Sequence, residues 1–129
     1  MAATAIAGPQ GRVDIVFDMV TPTVAASETF SLKVTRAFRV IGARVICETA
    51  AVNGLIDVRK GASSVTGTIP CATLNAVADG GVVDNAFSTF AIGDTLNIIA
   101  TAPAASVRGI VIVQTVPVPF ANQATVTGV

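Results

Sequence analysis

The stretch TFAIGDTLNIIATAPAASVRGIVIV, residues 89–113, holds the two most strand-like segments of the chain and the turns that frame them. Gly93 and Asp94 predict a tight turn, because glycine adopts positive φ freely and an aspartate side chain can hydrogen-bond to the backbone two residues further on. Residues 96–101 and 107–115 are rich in β-branched side chains, which favour strands. The small, proline-containing segment between them predicts a connecting loop. The whole stretch therefore predicts a hairpin at the edge of a β-sandwich.

Other segments of the chain alternate between apolar and polar residues, as half-buried strands do. Residues 12–20 and 30–35 show this alternation. Residues 38–48 form a longer apolar segment, in which Gly42 predicts a bulge or bend. Asn53 and Gly54 are the strongest hairpin-turn dipeptide of the chain, and residues 55–60 are predicted as the return strand.

The remaining segments are less regular. Residues 61–68 are polar and small, 69–74 predict either an edge strand or a helical turn, and 82–90 predict an irregular strand. Because no segment has a sustained helical period and turn residues recur throughout, we expect an antiparallel β-sandwich over residues 12–116, with arms at 1–11 and 117–129. Its predicted core is Phe17, Val40, Val45, Ile56, Val58, Leu96, Ile98, Ile110 and Ile112.

The composition suits a protein that buries its faces against partners. Charged residues make up 12% of the chain, and its 8 Lys and Arg balance its 8 Asp and Glu. This balance argues against nucleic-acid binding, which needs a basic footprint. The local cluster Arg36, Arg39 and Arg44 is interpreted as a solvated strand face. No apolar run approaches the ~20 residues of a membrane span.

The N-terminal residues 1–10 lack the positively charged region and apolar core of a signal peptide, so we expect an intracellular site of synthesis. Cys47 and Cys71 are isolated from each other in sequence and match neither a zinc pattern nor a redox motif. We expect both to be buried thiols.

Catalytic chemistry has little support, because the chain contains no His, Tyr or Trp. The commonest general base and transition-metal ligand is thus missing. Asp14 and Asp18 are interpreted as solvated carboxylates on one strand face. Asp79, Asp84 and Asp94 are candidate ligands for a calcium ion, but no EF-hand spacing supports such a site. The sequence predicts no catalytic, metal-binding or cofactor-binding residues, and the absence of Trp and Tyr also weakens a carbohydrate-binding interpretation.

Between Phe38 and Val116 the segments FRVIGARVICETA, NGLIDVRKG, FSTFAIGDTLNIIAT and VRGIVIV resemble the small jelly-roll cement, or decoration, proteins on the capsids of tailed double-stranded DNA phages. The resemblance implies an all-β antiparallel jelly-roll sandwich without catalysis. It also implies a homo-oligomer, either dimer or trimer, that binds the major capsid protein at junctions between subunits. The implied location is the outer surface of the virion capsid, and the implied role is stabilising the expanded head.

On this interpretation the two arms contact partners. The expected contact residues are Ala3, Ile6 and Pro9 in the N-terminal arm and Pro117, Val118, Pro119 and Phe120 in the C-terminal arm. Two placements of Phe120 stay open: packing on its own domain, or docking on a neighbouring subunit. The alternative function is a receptor- or glycan-binding module of a head fibre or tail, which would need a concave polar groove with ring-stacking Phe. An enzyme is a third class, which would need a pocket where two carboxylates converge.

Overall fold

The structure is a computed structural model, and it describes residues 2–7, 12–19, 27–49, 54–71, 73, 75–101 and 108–118. The described residues form β-strands joined by turns and loops, without a helix. The strands are β1 (Ala2–Ala7), β2 (Val13–Met19), β3 (Ser27–Lys33), β4 (Phe38–Thr49), β5 (Leu55–Lys60), β6 (Ser63–Pro70), β7 (Val77–Asp79), β8 (Thr89–Phe90), β9 (Thr95–Thr101) and β10 (Arg108–Pro117).

These strands form two sheets that pack face to face. Sheet A has the order β1-β2-β10-β4-β7, with β8 paired to β4, and sheet B has the order β3-β9-β5-β6. Every strand pairing is antiparallel. The predicted all-β antiparallel sandwich is therefore confirmed.

The chain crosses repeatedly from one sheet to the other. Its strand pairs are nested, which means that each pair encloses the next pair in the sequence. β2 pairs with β10 and β4 with β7 in sheet A, while β3 pairs with β9 and β5 with β6 in sheet B. Early strands thus pair with late strands, and the innermost pair is joined by a short turn. The connectivity is that of one long hairpin, with β2–β5 as one arm and β6–β10 as the other, folded so that its strand pairs alternate between the two sheets.

The core lies between the sheets and is made of alternating side chains. On β9, Leu96, Ile98 and Ala100 point inward, and on β10, Val111 and Val113 face them from sheet A, all at most 1% exposed. The predicted core residues outside β10 are confirmed as fully buried: Phe17, Val40, Val45, Ile56, Val58, Leu96 and Ile98.

On β10 the predicted core residues were wrong, because the buried side chains are those of the next residues along the strand. Ile110 and Ile112 are half-buried on the outer face of sheet A, while their neighbours Val111 and Val113 are buried. The run of apolar residues at 110–113 has no alternation, so the sequence pattern does not tell the inward face from the outward face.

Neither predicted hairpin forms. β9 lies in sheet B between β3 and β5, whereas β10 lies in sheet A between β2 and β4, so both are interior strands of different sheets. β4 and β5 are likewise in different sheets, and Asn53 lies outside the described residues. The consecutive strands that do pair are β1 with β2 and β5 with β6, and the second pair turns at Gly61, whose φ of 58° suits glycine.

Three short or polar strands were missed or misplaced by the sequence analysis. β6 covers residues expected to be a polar connection, because only Val65 and Ile69 of this strand are apolar residues buried in the core. β7 was not predicted. Residues 82–88, expected to belong to an irregular strand, form turns and loop, and only Thr89–Phe90 pair with β4.

Two glycines shape the pairing of β4 with β10. Gly42 is opposite Gln114 while Val40 is opposite Thr115, so Ile41 is an extra residue, and the predicted bulge at Gly42 is confirmed. Gly109 packs so closely on β4 that a Cβ there would lie 2.6 Å from the Ile46 carbonyl oxygen. The approach of the two strands at this point requires glycine.

Candidate partner-binding surface

At one end of sheet A, the last residues of β1 and of β10 lie near each other, although these strands are the first and the last in the sequence. β1 and β10 both pair antiparallel with β2, so they run in the same direction. Ala7 is opposite Val13, and Val13 is opposite Thr115. The chain leaves β1 and β10 at this end, which we call the arm end of the sandwich.

The arm end contains an open cleft of about 470 Å³ between the two sheets. Its walls come from the start of β2, the end of β3, the β3–β4 connection and the end of β10. The lining is mainly apolar, with basic and hydroxyl groups among it: Val13, Ile15, Leu32, Lys33, Val34, Thr35, Arg36, Ala37, Phe38, Thr115 and Pro117. A cleft of this size and character falls in the range of sites that receive small molecules or single side chains.

The turn at Gly93 holds one wall of the cleft in place. The backbone N–H of Val34 donates to the Asp94 carbonyl at 2.9 Å, and the N–H of Gly93 donates to the Val34 carbonyl at 2.8 Å. Gly93 has a φ of 94°, as the predicted turn requires. The Asp94 carboxylate accepts the N–H of Ala91 at 2.8 Å, and this bond lowers the pKa of Asp94. The predicted turn is thus confirmed, although the aspartate bonds to a preceding residue rather than a following one.

Aromatic packing supports the floor of the cleft. Phe38, which lines it, stacks on the buried Phe90 with ring centroids 5.0 Å apart. The Lys60 ammonium lies 5.8 Å from the Phe90 ring centroid and donates to the Thr89 carbonyl at 2.8 Å. β8 is therefore anchored from both sides, which fixes the Phe38 ring against the core.

The rim of the cleft is basic. Lys33 and Arg36 are exposed at its edge. The predicted cluster of three arginines is split by the fold: Arg36 lines the cleft and Arg39 lies on the outer face of sheet A. Arg44 donates to Asp79 at 2.7 Å, and this bond raises the pKa of Arg44.

The predicted contact residues are only partly described. Pro117 is exposed and lines the cleft, and the N–H of half-buried Val118 donates to the Ala37 carbonyl at 3.4 Å. The C-terminal arm was expected to leave the sheet at residue 117, but Pro117 is still opposite Phe38 in β10. Pro119 and Phe120 lie outside the described residues.

The N-terminal arm, expected to be extended or disordered, contains an extended strand. Ala3 is opposite Phe17 and Ile6 is opposite Asp14, so both belong to an edge strand of sheet A. Pro9 lies outside the described residues, and of the side chains in β1 only that of Thr4 is described, as exposed.

The structure brings the end of β1 and Pro117 to the same end of sheet A. Leu32 and Arg36, which line the cleft, were not predicted as contact residues, because nothing in the local sequence shows that β3 ends beside β10.

Each of the three candidate calcium ligands accepts a hydrogen bond from a different residue of this chain. Asp79 bonds to Arg44, Asp84 accepts the N–H of Ala86 at 2.9 Å, and Asp94 accepts that of Ala91. Within the part of the chain that the structure describes, no group of three or more Cys, Asp or Glu residues could hold a metal ion.

The two cysteines, distant in sequence, meet in the core. The Cys71 thiol donates to the Cys47 sulfur at 2.7 Å. Burial and this contact raise the pKa of Cys71 to about 12. The expectation that both thiols are buried is confirmed.

The described residues include no helix with the length and hydrophobicity needed to cross a bilayer. Comparison of the chain with protein-family models, with curated proteins and with solved structures finds no match.

Proposed function

We propose that this chain is a non-enzymatic structural protein of a virion, a cement protein that binds the outer surface of a tailed-phage head. In this role it binds the major capsid protein at junctions between subunits and itself as a homo-oligomer. It is made in the host cytoplasm and acts on the assembled capsid. Nucleic acid and membrane have no part in the function.

The observation that carries the proposal is that the ends of β1 and β10 and the apolar cleft all lie at the arm end of the sandwich. The last residues of β1 and β10 lie at the same end of sheet A, next to an apolar cleft with Lys33 and Arg36 at its rim. A compact domain that holds a shell together must reach more than one neighbour, and several weak contacts made at once give avid binding. Pro117 and the cleft offer one contact, and the residues that follow β10 offer another.

The strand order supports the jelly-roll part of the proposal. A jelly roll is an eight-stranded double sheet built from two Greek keys. Leaving aside the added edge strand β1 and the short β8, the remaining strands form nested pairs that alternate between the sheets, as such a fold requires.

The alternative, a receptor- or glycan-binding module, finds less support at the cleft. Sugar sites stack rings on exposed aromatic faces, and the cleft has one aromatic side chain, Phe38, which stacks on Phe90. Most of the remaining lining is aliphatic.

The experiment is co-sedimentation of the purified chain with expanded heads of the phage whose genome encodes it, using heads that lack the protein. We expect saturable binding at a fixed ratio to the major capsid protein and greater resistance of the heads to heat. Truncation after Val118 and the substitution Pro117→Glu should both weaken binding.

The matched control is Val82→Glu, which adds the same charge at a residue that is 96% exposed and does not line the cleft. Equal loss of binding in Pro117→Glu and Val82→Glu would locate the contact elsewhere. Absence of saturable binding to heads would reject the cement function, and a glycan screen would then test the alternative.

A further inference from the structure

The two cysteines of the chain come together in the core, although they are 24 positions apart in the sequence. Cys47 lies on β4 of sheet A, and Cys71 directly follows β6 of sheet B. Both are thiols in this structure, both are 1% exposed, and their sulfur atoms are 2.7 Å apart. The contact therefore joins the two sheets across the core.

Backbone hydrogen bonds hold both cysteines in place. The N–H of Cys71 donates to the Gly54 carbonyl at 2.8 Å, which extends the pairing of β5 with β6 by one residue. The chain then crosses to sheet A, where the N–H of Cys47 donates to the Ala76 carbonyl at 3.0 Å and the N–H of Asn75 donates to the Cys47 carbonyl at 2.8 Å. The segment that follows one cysteine thus bonds to the backbone of the other, and this fixes the two positions relative to each other.

We propose that Cys47 and Cys71 form a disulfide bond that cross-links sheet A to sheet B when the chain meets a small-molecule disulfide such as oxidised glutathione. The two cysteine thiols together lose two protons and two electrons. The electrons reduce the S–S bond of the oxidant, which breaks, and the two glutathione thiols that form take up the protons. The proposal rests on the packing of the core and not on the proposed function.

The exchange takes two steps, and the fold favours the second. In the first step one cysteine thiolate attacks the oxidant and forms a mixed disulfide, and in the second the other cysteine displaces the remaining glutathione. The native fold holds the two sulfur atoms in contact, so the second step has a high effective concentration. A disulfide bond is about 2.05 Å long, and closing it moves the two atoms together by less than ~1 Å. A mixed disulfide would instead place a tripeptide in a close-packed core.

Burial controls how fast the bond forms and breaks. The reacting species is a thiolate, and burial together with the contact to Cys47 raises the pKa of Cys71 to about 12. The folded protein therefore reacts slowly, and the first step takes place while the chain folds or during a transient opening. Once the bond has formed, the same burial shields it from reductants.

The cross-link lies away from the cleft and leaves it unchanged. β4 begins at Phe38, which lines the cleft, and reaches Cys47 near its other end, opposite Gly109 at the start of β10. The bond therefore changes stability and not the cleft. The protein has a dithiol form in reducing surroundings and a more stable cross-linked form in oxidising ones, where disulfides persist.

Refolding of the purified chain tests the inference without capsids. The chain is unfolded in urea with a reductant and refolded in two buffers, one with oxidised and reduced glutathione at about equal millimolar concentrations and one with the reductant alone. From the glutathione buffer we expect a chain whose mass is lower by two hydrogen atoms. Its urea midpoint should be higher than that of the dithiol form by roughly 1–2 M, because the bond closes a long loop of the unfolded chain.

Resistance to reduction tests the shielding. Dithiothreitol added to the folded, cross-linked chain should leave the bond intact, and the same reagent in urea should cleave it at least about tenfold faster. Equal rates of cleavage would show that the bond is not in the native core.

The matched control is Cys71→Ala, which removes one sulfur and leaves a small apolar side chain in the core. Its urea midpoint should be the same in both buffers, and an equal rise in this variant would show that the buffer and not the bond stabilises the protein. If Cys71→Ala does not fold, Cys47→Ala makes the same comparison from the other sheet.

Three results would overturn the inference: two thiols still present after refolding in the glutathione buffer, a disulfide between two copies on a non-reducing gel, or equal urea midpoints of the two wild-type forms. A chain that forms no cross-link but binds heads would leave the capsid function standing. A cross-linked chain that binds no heads would do the reverse.

Discussion

Ile98 and Ile99 are adjacent in β9, yet the sandwich places them in opposite environments. Ile98 is fully buried between Phe30 of β3 and Val58 of β5, whereas Ile99 is half-buried on the outer face of sheet B. The same substitution to alanine at both positions therefore tests the assignment of the two faces. The chemical change is identical, so any difference comes from the environment.

The expected cost of Ile98→Ala is worked from burial. The substitution removes three carbon atoms from the core, about 2.4 kcal/mol at ~0.8 kcal/mol for each. The cavity left behind adds to this, within the range of about 2–5 kcal/mol seen for such truncations. Ile99→Ala loses partial burial and strand propensity, which is about 1 kcal/mol or less.

Urea unfolding followed by circular dichroism measures both variants. With a slope of about 2 kcal/mol per molar urea, a cost of ~3 kcal/mol lowers the midpoint by roughly 1.5 M for Ile98→Ala. The midpoint for Ile99→Ala should shift by about 0.5 M or less. If Ile98→Ala does not fold, Ile98→Val should still cost about 0.5–1.5 kcal/mol. Equal shifts in the two alanine variants, at unchanged slope, would refute the inward placement of Ile98.

Three further predictions concern a glycine, a thiol and a carboxylate. Gly109→Ala places a Cβ against the backbone of Ile46, which has no room to yield, and should cost about 1–3 kcal/mol; a midpoint within error of wild type would contradict the close approach. Both thiols are buried and the pKa of Cys71 is raised to about 12, so at pH 9 both should react with Ellman's reagent only as fast as the protein unfolds, and rapid reaction in the native state would show that Cys47 and Cys71 are accessible. The pKa of Asp94 is lowered in the folded protein, so its contribution to stability is present above the ordinary carboxyl pKa and is lost as the pH falls below ~4. Asp94→Asn should therefore make the acid-side loss of stability shallower, and an unchanged pH profile would contradict the role of this carboxylate.

The strands with clear alternation or strong β-propensity were predictable from local sequence, and the partners of those strands were not. β2 and β9 appear within a residue or two of their predicted bounds, because their buried apolar residues recur at every second position. β6 was missed because it has two buried aliphatic residues among Ser, Thr and Gly. A turn dipeptide such as Asn53-Gly54 predicts a reversal of the chain but does not tell whether the next strand stays in the same sheet.

Of the residues at the candidate site, too, local sequence predicts only those that do not depend on strand pairing. Pro117 was predicted as a contact residue from the proline pattern that ends β10, and the structure places it at the cleft. Leu32 and Arg36 reach the same cleft only because β3 pairs with β9 and the Gly93 turn then holds the segment after β3. Pairings of such long range are a property of the folded chain, and no local pattern contains them.

The predicted core was wrong only on β10, and this error bears on the function of the strand. Ile110 and Ile112 were predicted to point inward, yet Val111 and Val113 are the buried residues. A strand that faces a core on one side and water on the other shows alternation, and its absence in β10 means that both faces are apolar. An interior strand with two apolar faces is expected where both faces become buried. Local sequence rules fail most often at sites selected for something other than folding, and here the failure falls on β10.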